Sequence, residues 1–168
     1  SGLRNMQNQL AKSGPFDFDY DIPYTTIHVG KLSGGEALNI VPNHAEMLFE
    51  IRHLEAQNTD DLIIHIDAIA RRFEKNNGVQ AVGIEIINAY PYFEMKSNHE
   101  LIKKLISITN TDKIKVDFGT EAGILSQMGV PTIVCGPGSM SGQGHQADEF
   151  ISKQQLLSCD DFLGKLVV

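Results

Sequence analysis

The chain has 168 residues, 42% of them apolar, and a formal net charge of −7. That is enough for one ordinary domain or two small ones, and the apolar share excludes disorder as the default. The longest basic clusters, Arg71-Arg72 and Lys103-Lys104, fall on predicted helices, which argues against a nucleic-acid or anionic-membrane surface, and no apolar run is long enough to span a bilayer.

Leu3, Met6, Leu10 and Ala11 recur at helical spacing, and Ser13-Gly14-Pro15 stops that helix. The chain begins at Ser1 inside this pattern, so it reads as a fragment or a processed chain. Phe16 to Pro23 is acidic and aromatic, a surface loop. Thr25 to Gly30 is β-branched and alternating, Ser33-Gly34-Gly35 signals a hairpin turn, and Glu46 to Arg52 is the clearest strand, with Met47, Phe49 and Ile51 on one face. Asn58 can cap a helix carrying Leu62, Ile63, Ile66, Ile69, Ala70 and Phe73, which Asn76-Asn77-Gly78 ends. Val82 to Ile87 reads as a third strand. This order matches a ferredoxin-like βαββαβ unit that lacks its first, central strand.

The pattern changes near Pro91, where a domain boundary is expected, dividing the chain into residues 1–90 and 91–168. Ser97-x-x-Glu100 reads as a capping box before Leu101, Ile102, Leu105 and Ile106. A short strand is expected over Lys113 to Phe118, a short helix over Ala122 to Met128, a buried strand over Thr132 to Cys135, and a last helix capped by Ser152-x-x-Gln155. This alternation is α/β in style. Cys135 and Cys159 make no disulfide framework, and a reducing, cytoplasmic setting is expected.

Three clusters can carry chemistry. The first is the glycine-rich loop from Gly136 to Glu149, ending in His145 with Asp148 and Glu149. Neutral imidazole is a common zinc ligand, but one histidine makes no site, so His145 is either a ligand with partners elsewhere or an incidental surface residue. The second is Phe118-Gly119-Thr120-Glu121-Ala122-Gly123, a strand end before a helix start. Its free N–H groups suit a carboxylate or oxyanion, and equally Thr120 is an ordinary N-cap. The third joins Gly34-Gly35, Asn39 and Arg52. An arginine at a strand end can grip a carboxylate and an asparagine can donate to a polarised carbonyl. The alternative is a hairpin turn with a solvated arginine. A Cys135–His145 nucleophile pair is disfavoured, because a thiol inside an apolar strand is inert.

Taken together, these clusters resemble a known family. Gly34-Gly35-Glu36-Ala37-Leu38-Asn39-Ile40-Val41-Pro42 with Phe49-Glu50-Ile51-Arg52 is similar to the lid, or dimerisation, domain of the zinc exopeptidase and amidohydrolase family. Gly119-Thr120-Glu121-Ala122 and Gly136-Pro137-Gly138-Ser139 through His145-Gln146-Ala147-Asp148-Glu149 resemble the C-terminal part of its catalytic domain, in the forms seen in its acetylornithine deacetylase branch. The resemblance implies a two-ion zinc or cobalt hydrolase of N-acyl amino acids, a homodimer through the lid, with His145 as one metal ligand. It further implies that Asn39 and Arg52 reach substrate, and that Gly119, Thr120 and Glu121 receive its amino-acid end. In the family an H-x-D ligand pair, a bridging aspartate, a Glu-Glu pair, a further acidic ligand and a lid histidine in a Gly-His-Ser/Ala segment precede the Gly34–Arg52 motif; none of them stands ahead of it here, so this chain by itself is expected to be inactive. Related readings are a desuccinylase-like deacylase or a metallo-dipeptidase or carboxypeptidase. A reading of another class is a non-catalytic dimerisation module.

Overall fold

The computed structural model describes residues 2–78, 82–140 and 142–167, and they form a mixed α+β structure in two compact units. The first unit takes residues up to Tyr92 together with Lys115–Gly119; the second takes Phe93–Ile114 and Thr120 onward.

In the first unit, helix α1 (Gly2–Ser13) ends where the Gly14 N–H, at φ 41°, bonds the Leu10 carbonyl. Strands β1 (Thr26–Gly34) and β2 (Ala45–Arg52) then pair as an antiparallel hairpin. Ile27 faces Ile51 and Val29 faces Phe49, while Thr26–Arg52 and His28–Glu50 occupy the other face. A bulge between Val29 and Lys31 inserts one residue and inverts the parity beyond it. Leu32 therefore continues the apolar face opposite Met47, as the alternation of β2 predicts. Gly34 is required at the turn: a Cβ there would stand 2.8 Å from the His44 carbonyl oxygen.

Helix α2 (Thr59–Asn77) is capped as expected. The Asn58 Oδ1 accepts from the N–H groups of Asp60 and Asp61, and Gly78 closes the helix at φ 66°. Met6, Leu62 and Ile66 are the buried centre, with Leu3, Leu10, Ile27, Phe49, Ile51 and Ile69 packed around them. One polar contact is fully buried: the Thr25 hydroxyl accepts from the Leu54 N–H at 3.2 Å.

The third strand predicted over Val82–Ile87 pairs with nothing among the described residues. Its alternation suits a strand, but the Val82 carbonyl is taken by Arg71 at 2.8 Å and its N–H by Glu74 at 2.9 Å, both from α2. In a βαββαβ unit this last strand pairs with the first, and the two strands that the described residues form pair only with each other.

In the second unit, helix α3 (Glu100–Thr109) packs against α5 (Lys153–Val167), and α4 (Ala122–Gln127) is short. The Ser152–Gln155 capping box forms in both directions, at 3.1 Å each way. The capping box predicted at Ser97 does not. His99 is the N-cap of α3, its Nδ1 accepting from the Leu101 N–H, while Ser97 Oγ takes Lys113 Nζ. Neither Lys113–Phe118 nor Thr132–Cys135 forms a ladder among the described residues, so the α/β alternation expected of this half is not realised. A strand buried on both faces needs a neighbour at each edge, and no described segment offers one. Cys135 is accordingly exposed rather than buried. Among the described residues no helix is long and apolar enough to cross a membrane.

Candidate functional site

Asn39 lies in the exposed turn of the 35–44 loop that joins β1 to β2. The turn is closed by the Gly35 N–H on the His44 carbonyl and the Ile40 N–H on the Ala37 carbonyl, both at 3.4 Å. Gly35 adopts φ 80° there, a region open to glycine at no steric cost. The loop carries Leu38, Ile40 and Val41 into solvent beyond the exposed Leu32 and the less open Met47.

Arg52 ends β2 and is half-exposed. Its Nε and Nη2 face one oxygen of Glu50 at 3.0 and 2.9 Å. Its Nη1 donates to the Asp117 carbonyl at 3.3 Å and lies 3.6 Å from that residue's carboxylate. The first unit thus brings Arg52 to the segment that runs directly into Gly119. A Cβ on Gly119 would stand 3.5 Å from the Tyr90 ring.

Thr120 and Glu121 belong to the second unit, at the start of α4. The Thr120 Oγ1 accepts from the Ala122 N–H at 3.1 Å, so its hydroxyl is in a capping contact, while the Glu121 side chain makes no cap bond. Ala122 and Gly123 are buried behind it.

His145 sits exposed in the same unit with φ 59°, and Asp148 at 61° is a second left-handed residue three positions on. This region is sparsely used by residues with a Cβ, though His and Asp enter it more readily than most. The loop is held by its own polar groups. Gln143 and Gly144 donate to the Met140 carbonyl, the Gln143 Oε1 accepts from the Phe150 N–H, and the Glu149 carboxylate accepts from the His145 N–H at 3.2 Å. Among the described residues no three His, Cys, Asp or Glu side chains converge to hold an ion. These residues therefore do not make a zinc or cobalt centre by themselves, and His145 can supply at most one ligand to such a centre.

The first unit also holds a cluster that the sequence does not announce. Lys115 Nζ lies 2.7 Å from Asp17 Oδ2, 3.6 Å from Asp19 Oδ2 and 5.4 Å from the centre of the Tyr20 ring. The Lys115 hydrogen bond, with the Asp19 N–H on the other oxygen, holds the Asp17 carboxyl below its ordinary value. Its only advance signal is the acidic, aromatic composition of residues 16–23.

Residues 1–78, within the first unit, match the peptidase dimerisation domain family. Beyond that segment, the chain aligns over most of its length with proteins named acetylornithine deacetylase. It is 24% identical to that of Myxococcus xanthus over 151 residues, which is 90% of this chain and 40% of the relative. It is 31% identical to that of Pasteurella multocida over 150 residues, 88% of this chain and 38% of the relative. It is 29% identical to that of Salmonella arizonae over 149 residues, again 88% and 38%. The chain thus spans about two fifths of the length of these relatives. The likeness to these proteins therefore covers most of the chain at modest identity.

Proposed function

We propose that this chain is the lid and C-terminal catalytic portion of a metal-dependent amide hydrolase that removes the acyl group from an N-acyl amino acid, with N-acetylornithine as the foremost substrate. The observation that carries this reading is the aligned span. At 149 to 151 residues it is too long to fall within either unit, so the likeness to acetylornithine deacetylases is not confined to the dimerisation domain.

In this reading Asn39 donates to the scissile carbonyl, Arg52 takes the substrate carboxylate, and Gly119, Thr120 and Glu121 receive the amino-acid end. His145 is one ligand of a zinc or cobalt centre whose remaining ligands lie outside the chain. Homodimerisation through the lid is supported by the open apolar end of the hairpin, where Leu32, Leu38, Ile40, Val41 and Met47 are exposed. Two copies meeting there would bury them isologously.

The test is acetylornithine hydrolysis with added zinc or cobalt. The intact protein is expected to turn over substrate and to lose both activity and bound metal on His145→Ala. The 168-residue chain alone is expected to show none. Turnover by the chain above its own His145→Ala control would overturn the partition of the site. Preference of the intact protein for N-succinyl substrates or dipeptides would move it to a desuccinylase-like or dipeptidase role. A stable dimer with neither activity nor metal would make it a non-catalytic dimerisation module.

A further inference from the structure

We propose that Lys115 and Arg52 are positioning residues, which together clamp residues 115–119 onto the first unit and so fix the chain that leads into Gly119-Thr120-Glu121. The value of the clamp to catalysis rests on the role proposed for that loop; its existence does not.

The segment has no ladder to hold it, and side-chain contacts take the ladder's place. Lys115 reaches back 98 positions to Asp17. Its receptor is preformed. Phe16 bridges to Tyr24, the Asp17 N–H bonds the Pro23 carbonyl at 2.9 Å, and the Asp19 N–H occupies Asp17 Oδ1 at 3.0 Å, leaving Oδ2 for the ammonium. The ion pair is also sheltered, with 21% and 28% of its side chains exposed, against 59% and 86% for the surface pair Lys103–Glu100. Sheltered charge-assisted bonds are screened less and contribute more than open ones.

The second anchor lies two residues on. Arg52 is carried on the last position of a paired strand and holds Asp117 by both carbonyl and carboxylate, while Glu50 holds the opposite edge of the guanidinium. Two independent ties within three residues, immediately before Gly119, determine where the loop begins.

Amide relaxation and hydrogen exchange of the chain together test this. Amide 15N order parameters, which report motion without needing a hydrogen-bonded N–H, are the reading used at 115–119: Lys115→Met is expected to lower them from about 0.85 toward about 0.6, while α1 and α2 keep their exchange protection. Arg52→Met should act in the same place, and Lys115→Arg should stay close to wild type. Unchanged order parameters at 115–119 in both Met variants would overturn the proposal. So would loss of α1 and α2 protection in Lys115→Met, since a positioning role leaves the core intact. In the intact protein Lys115→Met is expected to raise KM for the acylated substrate more than it lowers kcat. Absence of turnover in the wild type would sink the functional reading and leave the relaxation result standing.

Discussion

Truncating Leu62 is the sharpest test of how the first unit is held together. Its side chain is 4% exposed and sits between Met6 and Ile66, the only other fully buried members of that cluster. Leu→Ala removes three carbons, and at about 0.8 kcal/mol each the transfer loss is roughly 2.4 kcal/mol. A residual cavity adds to this in proportion to its volume, but the surrounding Leu3, Leu10, Ile27 and Phe49 are only partly buried and can close inward. The expected loss is therefore about 2.5–3.5 kcal/mol, near the lower part of the range for buried leucines. Tyrosine fluorescence isolates the relevant transition, because the chain has no tryptophan and its four tyrosines (Tyr20, Tyr24, Tyr90 and Tyr92) all lie in the first unit. Urea unfolding followed this way should show a lower midpoint at unchanged slope. Ile64→Ala, on the same helix but 65% exposed, is the control and should shift stability by less than about 0.5 kcal/mol. A loss below about 1 kcal/mol for Leu62→Ala, or equal losses for the two variants, would refute a core centred on Met6, Leu62 and Ile66.

Two further outcomes use the same probe. Asn58→Ala should cost about 1 kcal/mol, because one side-chain oxygen serves two N–H groups of α2; a change below a few tenths would show that water replaces it. Asp17 gives a pH signature. Its folded value lies below the ordinary 3.8, so its contribution is fully present above that value and is lost as pH falls through the lowered one. The stability gap between wild type and Asp17→Asn should hold at pH 5 and 6 and close progressively from about pH 4 downward. A gap that is independent of pH would mean that the carboxylate charge is not what binds Lys115.

Local features of this chain are legible from its residues, and pairings are not. Helix α2 can be read end to end because its start and stop are written in adjacent residues: Asn58 caps it and Gly78 takes the left-handed turn beyond. The hairpin is legible for the same reason, since Gly34, Gly35 and the alternation of β2 specify it within a few positions. Val82–Ile87 carries strand alternation too, yet a strand is a property of its neighbour as well as of itself, and α2 side chains take the Val82 backbone instead. Ser97 misleads because His99, two residues on, competes for the same free N–H groups. Among the candidate site residues, spacing placed Asn39 in a loop and Arg52 at a strand end, but nothing local marks Lys115 as the partner of a residue 98 positions earlier.

The clamp bears on what Arg52 can do for a substrate. At first sight its two tasks conflict, since a guanidinium already facing Glu50 and Asp117 has little room for a third anion. The geometry separates them. Asp117 uses Nη1 alone, whereas Glu50 presents a single oxygen to the Nε–Nη2 edge, which is the edge built to receive a carboxylate through two parallel bonds. Glu50 and Arg52 are both about half-exposed, and an open pair of this kind contributes well under about 1 kcal/mol, so its displacement is cheap. Under the proposed function, a substrate carboxylate exchanges with Glu50 on one edge while Asp117 stays on the other. Glu50→Gln then becomes the discriminating variant. It removes the competing charge and leaves the clamp, so it should lower KM for the acylated substrate while the amide order parameters at 115–119 stay as in wild type. A raised KM would place Glu50 among the groups that orient Arg52 for substrate, rather than as a stand-in for it.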